Sequence, residues 1–323
     1  MKIASLFSGC GGLDLGFSNA GFKLAYANDI DKDVWETFEK NHGLSIDRRS
    51  ILDVKSSEIP DVAGFVGGPP CQSWSLAGEM RGVNDARGKL FYEYIRMLRD
   101  KKPLFFVAEN VAGIVSKTHL PEFMKIIKEF EGLGYNVSYK LVDAKDYGVP
   151  QERKRVIVVG YRKDTGKAFS FPQPLPKGIV LKEALHGLPE SKPALPKNKP
   201  NSSLEIPNHE HMIGGFSTIY LSRNRRRSWG EPSFTIQAGG RHAPLHPGSA
   251  KMIKKGADDW KFEDGPYRRL SVRECARVQT FPDDFKFYYD NVAKGYKMIG
   301  NAVPVKLAEA IAKTIKRDLQ SLA

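Results

Sequence analysis

Over its first 162 residues the chain alternates short apolar runs with amphipathic stretches, and this alternation limits the folds open to it more than any other feature. IASLF (3–7), KLAYAND (23–29), AGFVGG (63–68), PLFFVAEN (103–110) and RVIVVGY (155–161) read as strands, most of them apolar on both faces as in a covered parallel sheet. KLFYEYIRMLRDKK (89–102) and LPEFMKIIKEFEGLG (120–134) have helical periodicity, the second closed by Gly132 and Gly134. Strand–helix–strand repetition of this kind predicts an α/β fold with a doubly wound, mostly parallel sheet.

The pattern breaks after Arg162. Eight of the chain's 20 prolines lie in residues 171–207, which predicts a crossing linker and the start of a second, smaller domain. The expected division is 1–175 for the α/β domain, 176–285 for the second domain and 286–323 for a C-terminal segment returning to the first. That segment holds VKLAEAIAKTIKRDLQ (305–320), with Leu307, Ile311 and Ile315 on one helical face.

Charge narrows the partner. Lys and Arg exceed Asp and Glu by 13, and residues 177–273 alone carry 17 Lys and Arg against nine Asp and Glu. Such a surplus favours a polyanion. Three scattered cysteines, Cys10, Cys71 and Cys275, exclude a disulfide framework and a zinc site, and no apolar run has the length of a signal peptide or membrane span. The expectation is a soluble, cytoplasmic monomer that needs no metal and no membrane.

Two stretches carry chemistry. FSGCGG (7–12) ends the first strand and opens a helix, its glycines permitting close approach of backbone to a ligand; Asp29 follows Gly9 by 20 residues, where such folds place a ribose-binding carboxylate. NAD, FAD and S-adenosylmethionine sites share that arrangement, so it leaves the cofactor open. GGPPCQSWS (67–75) sets Cys71 behind two prolines at the carboxyl end of a strand, Glu109 ends the next strand, and QERKRV (151–156) brings Arg153 and Arg155. A thiol, a carboxyl group and arginines beside a nucleoside-type cofactor point to covalent attack on a polar ring rather than hydride transfer.

The chain resembles the DNA cytosine-5 methyltransferases of bacterial restriction–modification systems. The resemblance rests on FSGCGG, GGPPCQS, ENV, QERKRV, RRLSVRECARVQTFPDDF and GNAVP in the family's order, with a basic variable stretch between the fourth and fifth. It implies a Rossmann-like, class I S-adenosylmethionine-dependent fold with a smaller target-recognition domain, encoded by a bacterium, archaeon or phage. By motif match, Cys71 is the nucleophile at carbon 6 of cytosine, Glu109 acts at N3, and Arg153 and Arg155 at O2. The methyl group comes from S-adenosylmethionine, leaving S-adenosylhomocysteine. The implied cofactor residues are Phe7, Gly9, Cys10, Gly11, Gly12, Asp29, Ile30, Ser50, Ile51, Pro70, Leu90, Asn301 and Ala302. Ser50 departs from the family, which commonly has aspartate there on the adenine amino group.

The implied partner is double-stranded DNA, from which the target base must be flipped, with a cognate restriction endonuclease acting separately. RNRRRSW (223–229) and FTIQAGGRHAPLHP (234–247) look like the recognition segments of members that methylate the inner cytosine of GGCC. Arg223, Arg225, Arg227, Thr235 and Arg241 are the expected DNA-binding residues, because arginine can donate two hydrogen bonds to a guanine edge. A dinucleotide-dependent oxidoreductase leaves PPCQS and the basic second domain unexplained. A non-catalytic DNA-binding homologue leaves the intact Cys71, Glu109 and Arg153 without a role.

Overall fold

The computed structural model describes residues 1–70 and 88–320. Cys71 lies outside the described residues. Six strands form the central sheet: β1 (Lys2–Leu6), β2 (Lys23–Asn28), β3 (Gly64–Gly67), β4 (Phe105–Val111), β5 (Tyr135–Asp143) and β6 (Lys154–Arg162), in the order β2-β1-β3-β4-β6-β5. The β1–β2, β1–β3 and β3–β4 pairs are parallel, whereas β6 runs antiparallel to both β4 and β5. The mixed α/β fold with a mostly parallel sheet is thus present. β5 is a strand that the apolar runs do not predict. It is an edge strand whose Tyr139, Lys140 and Leu141 are exposed, so it lacks the continuous apolar run that marks a covered strand.

The chain divides into two compact units: Met1–Asp143, Lys154–Pro174 and Val305–Ala323 in the first, Ala144–Arg153 and Leu175–Pro304 in the second. The segment expected to return as one piece from residue 286 therefore divides at Pro304.

In the first unit, helices α1 (Gly12–Asn19), α2 (Lys32–His42), α3 (Gly88–Lys101) and α4 (Leu120–Gly132) follow successive strands, and α9 (Val305–Leu319) completes it. α2 has legible ends: the Asp31 carboxylate accepts from the Asp33 backbone N–H at 3.1 Å, and Gly43 takes the left-handed conformation with φ +63°. Phe106 sits in the core against Phe130 (centroids 4.4 Å apart) and Tyr135 (5.1 Å). The buried Tyr94 hydroxyl meets the Phe65 and Val107 carbonyls at 3.2 and 2.9 Å, tying α3 to the two central strands. Leu307, Ile311 and Ile315 are buried, and α9 lies so close to α1 that a Cβ on Gly16 would stand 2.4 Å from that of Ala308.

The second unit has little regular structure. Its helices are α5 (Leu181–Ala184), α6 (Thr218–Leu221), α7 (Val272–Val278) and α8 (Val292–Asn301). Its strands are the two-residue pair β7 (Lys192–Pro193) and β8 (Glu210–His211) and the hairpin β9 (Met252–Gly256) and β10 (Asp259–Phe262). With so few ladders, many loop carbonyls need other donors, and arginines supply them. Arg273 is fully buried and donates to the carbonyls of Pro207, Pro282 and Phe285 at 3.1, 3.2 and 2.9 Å. Arg226 donates to Ser249 and Pro247, and Arg269 to Gly214 and Gly215 while lying 4.0 Å over the Phe216 ring. Part of the basic surplus is therefore internal scaffolding. Among the described residues no helix is long and apolar enough to cross a membrane.

Candidate active site

Strand register sets the site. Leu6 pairs with Asn28 and Gly67, and Gly67 with Ala108, so Phe7, Asp29, Gly68 and Glu109 form the next row at the carboxyl ends of four parallel strands. Because β6 is antiparallel, its first residues arrive at the same rim: Arg155 is paired with Val111. Ligands of open α/β sheets bind at this edge.

Phe7 has φ +56°, a conformation rare for a bulky side chain. Gly9 follows, also at φ +56°, with open space where a side chain would project. Gly11, at φ +89°, is the N-cap of α1. The Asp29 carboxylate accepts from the Gly9 N–H at 2.7 Å and the Asp31 N–H at 2.8 Å, bracing the glycine loop from the neighbouring strand. Ile30, beside it, is 66% exposed, unusual for so apolar a side chain. Gly12 is buried at the start of α1, and burial pushes the Cys10 thiol up to about 12, so that thiol is unreactive.

Ser50 caps a 3-10 turn, Ile51–Asp53, its hydroxyl accepting from the Leu52 N–H at 3.3 Å. Ile51, expected among the cofactor residues, is buried in the core cluster with Val54 and Phe91; Leu90 packs on the edge of the same cluster.

Glu109 and Arg155 form an ion pair, Oε1 to Nε 2.8 Å, with side chains only 12% and 13% exposed. Gly68 lies beside them: a Cβ there would come within 3.3 Å of Glu109 Oε2. The next side chain, Asn110, donates through Nδ2 to the Pro69 carbonyl at 3.1 Å. The second residue of ENV thus holds the Pro69–Pro70 turn that leads into Cys71. Asn110 is a site residue that the sequence reading does not single out, although it lies inside a quoted motif.

Arg153 requires a correction. Expected with Arg155 at the reacting atoms, it belongs to the second unit, is 1% exposed, and donates to the carbonyls of Ile236 (2.9 Å), Gly300 (2.7 Å) and Ala302 (3.1 Å). The same knot includes Gln151, which donates to Gln279 Oε1 at 2.7 Å and accepts from the Ile236 N–H at 2.8 Å, and Thr235, whose hydroxyl donates to the Glu152 carbonyl at 2.6 Å. QER, the Thr235–Ile236 pair and GNAVP are thereby fastened together. Ala302 is buried and Asn301 exposed at the end of α8.

The expected DNA-binding arginines separate into two groups. Arg225 is buried and donates to the Tyr220 and Ile219 carbonyls at 2.9 and 3.0 Å. Arg227 is paired with Glu152 and Glu231 and lies 4.1 Å over the Phe234 ring. Both are engaged inside the fold, contrary to a base-reading role. Arg223 and Arg241 are exposed.

A domain model described as C-5 cytosine-specific DNA methylase matches residues 1–317. The type II methyltransferase M.MthTI of Methanothermobacter thermautotrophicus is 63% identical over 326 residues, covering 100% of this chain and 99% of the relative. M.NgoPII of Neisseria gonorrhoeae, also a type II methyltransferase, is 50% identical over 334 residues, with 99% and 96% covered. A crystal structure of a prophage-encoded DNA modification methyltransferase of E. coli superposes with a TM-score of 0.75 at 25% identity, covering 99% of both chains. Fold and rim define a Rossmann-like class I methyltransferase. The chain belongs to the C-5 cytosine-specific DNA methylases. It is a DNA cytosine-5 methyltransferase of the type II restriction–modification kind, in a family that draws its methyl group from S-adenosylmethionine.

Proposed function

We propose that the chain methylates carbon 5 of a cytosine flipped out of double-stranded DNA, through a covalent bond between Cys71 and carbon 6. The observation that carries this reading is the Glu109–Arg155 pair at 2.8 Å on the rim, with the neighbouring Asn110 bonded to Pro69, two residues before Cys71 in the sequence. Carbon 5 of cytosine is a weak nucleophile. Addition of the Cys71 thiolate to carbon 6 turns the ring into an enamine and moves negative charge toward N3 and O2. A carboxyl group at N3 and a guanidinium at O2 stabilise that charge, the roles of Glu109 and Arg155. The Asn110 hydrogen bond to Pro69 fixes the backbone two residues before the nucleophile in sequence. Loss of the carbon-5 proton and departure of the thiolate restore the aromatic ring. Unstacking the base costs a few kcal/mol, offset by contacts to the DNA backbone.

S-adenosylmethionine, when bound, supplies an electrophilic methyl group on its sulfonium. The residues fit such a group: Gly9 leaves open space, Phe7 is held in a left-handed conformation, and Ile30 offers an uncovered apolar surface. We assign the loop Phe7, Gly9, Cys10, Gly11 and Gly12, with Asp29, Ile30, Ser50, Pro70 and Leu90, to holding it.

The second unit is the DNA reader, and the site is GGCC with the inner cytosine modified. This rests on the likeness of 223–229 and 234–247 to the recognition segments of GGCC-methylating members. Arg223 and Arg241, exposed where Arg225 and Arg227 are not, are the guanine readers. Bisulfite sequencing of plasmid DNA from an expressing host tests the reading: protected cytosines confined to GGCC support it, protection in other contexts overturns the specificity, and none overturns the activity.

A further inference from the structure

We infer that His42 is a positioning residue for the glycine loop, its imidazole filling the space a side chain on Gly11 would occupy. The inference rests on the assignment of residues 7–12 to S-adenosylmethionine. An ideal Cβ on Gly11 would lie 2.0 Å from His42 Nε2, 2.7 Å from Cδ2 and 2.9 Å from Cε1. Gly11 is therefore glycine for two reasons. Its φ of +89° excludes most side chains, and the ring already occupies the volume.

The ring is itself fixed. His42 is the last residue of α2, its imidazole stacks on Phe38 one turn earlier at 4.5 Å between centroids, and Phe38 is fully buried. The other end of α2 is joined to the same loop through Asp29, which accepts from both Asp31 N–H and Gly9 N–H. The loop is thus braced from both ends of α2, at Gly9 by the Asp29 carboxylate that precedes the helix and at Gly11 by the flat ring that ends it. Burial pushes the imidazole down to about 4, so the brace is a neutral shape near pH 7.

What the brace fixes is the first turn of α1, where Gly11 donates to the Ser8 carbonyl at 3.0 Å and accepts from the Leu15 N–H at 2.9 Å. A loop free to shift there loses affinity for its ligand without losing the groups that act on the base.

The test uses the full chain, calorimetric titration with S-adenosylmethionine, and methyl incorporation into plasmid DNA over cofactor concentrations up to saturation. His42→Ala is expected to weaken cofactor binding about tenfold and raise the cofactor KM in proportion, with kcat within threefold of the unmodified chain. His42→Phe, which keeps a flat ring, is expected to stay within threefold in binding. Gly11→Ala should cost less affinity in the His42→Ala background than alone, because only the backbone strain then remains. Binding by His42→Ala within twofold of the unmodified chain, or a fall in kcat with unchanged KM, overturns the inference. Should His42→Ala not fold, His42→Gln is read the same way, with at least a fivefold loss expected and unchanged binding overturning it. Failure of the unmodified chain to bind S-adenosylmethionine overturns the loop assignment, and the inference with it.

Discussion

Replacing Arg153 by Met separates scaffolding from catalysis. The guanidinium is 1% exposed and serves three carbonyls. Ala302 keeps a second donor, Gln279 Nε2 at 3.0 Å, so the carbonyls of Ile236 and Gly300 are the ones deprived. A buried acceptor left without its donor costs about 1–3 kcal/mol, hence about 2–6 for two. Removing a buried charge returns part of that, leaving a net loss of about 3 kcal/mol. At about 2–4 °C per kcal/mol for units of this size, Tm should fall by about 6–12 °C. The counterpart is Arg155→Gln, which keeps an N–H donor toward Glu109 but loses the charge at the rim. It should melt within a few degrees of the unmodified chain while methyl transfer falls about 10²–10³-fold, the scale of losing one charge-stabilising donor. Differential scanning calorimetry and methyl incorporation into plasmid DNA read both variants. An Arg153→Met protein that melts normally but loses as much activity as Arg155→Gln would refute the scaffold assignment.

Asn110→Ala removes the hydrogen bond to Pro69 and should lower kcat at least tenfold with the cofactor KM within threefold; a change confined to KM would mean that the turn is held by other groups. Ser50→Asp should tighten S-adenosylmethionine binding by about 0.5–1.5 kcal/mol in calorimetry, since a carboxylate can cap the same 3-10 turn and add an acceptor. Burial pushes the Asp14 carboxyl from 3.8 up to about 7, with the Ser5 hydroxyl pulling the other way. A raised carboxyl favours the fold fully below its unfolded value and loses that contribution as pH rises through the folded one. Asp14→Asn should therefore stabilise the chain more at pH 8 than at pH 5, by about 3 kcal/mol in denaturant unfolding, and equal effects at both pH values would contradict the burial argument.

The rim is readable in the sequence because its residues sit where apolar runs end. Phe7, Asp29 and Gly68 each follow a strand and Glu109 lies near the end of β4, and parallel register carries them to one edge whatever the details of packing. The antiparallel direction of β6 is not readable, since an apolar run carries no direction, and β5 escapes notice because an edge strand need not be apolar on both faces. Arg153 and Arg155 look equivalent in QERKRV, yet β6 begins at Lys154, so strand alternation relates Arg155 to its neighbours and says nothing of Arg153. In the recognition stretch, composition alone does not tell an arginine that holds loop carbonyls, such as Arg225, from one facing solvent, such as Arg241. That distinction depends on which carbonyls the irregular chain leaves without ladder partners. His42 carries no sequence signal at all, being a single histidine at a helix end whose significance lies in a glycine 31 residues earlier.

Covalent catalysis by Cys71 can be trapped on a DNA duplex carrying 5-fluorocytosine at the inner cytosine of GGCC, incubated with the chain and S-adenosylmethionine. Fluorine cannot leave as the carbon-5 proton does, so the methylated adduct should persist through denaturing electrophoresis. Peptide mass spectrometry should then place the modified nucleotide on Cys71, and Cys71→Ala should give no adduct while still binding the cofactor. Undiminished methyl transfer by Cys71→Ala, or an adduct mapped to another residue, would exclude Cys71 as the nucleophile.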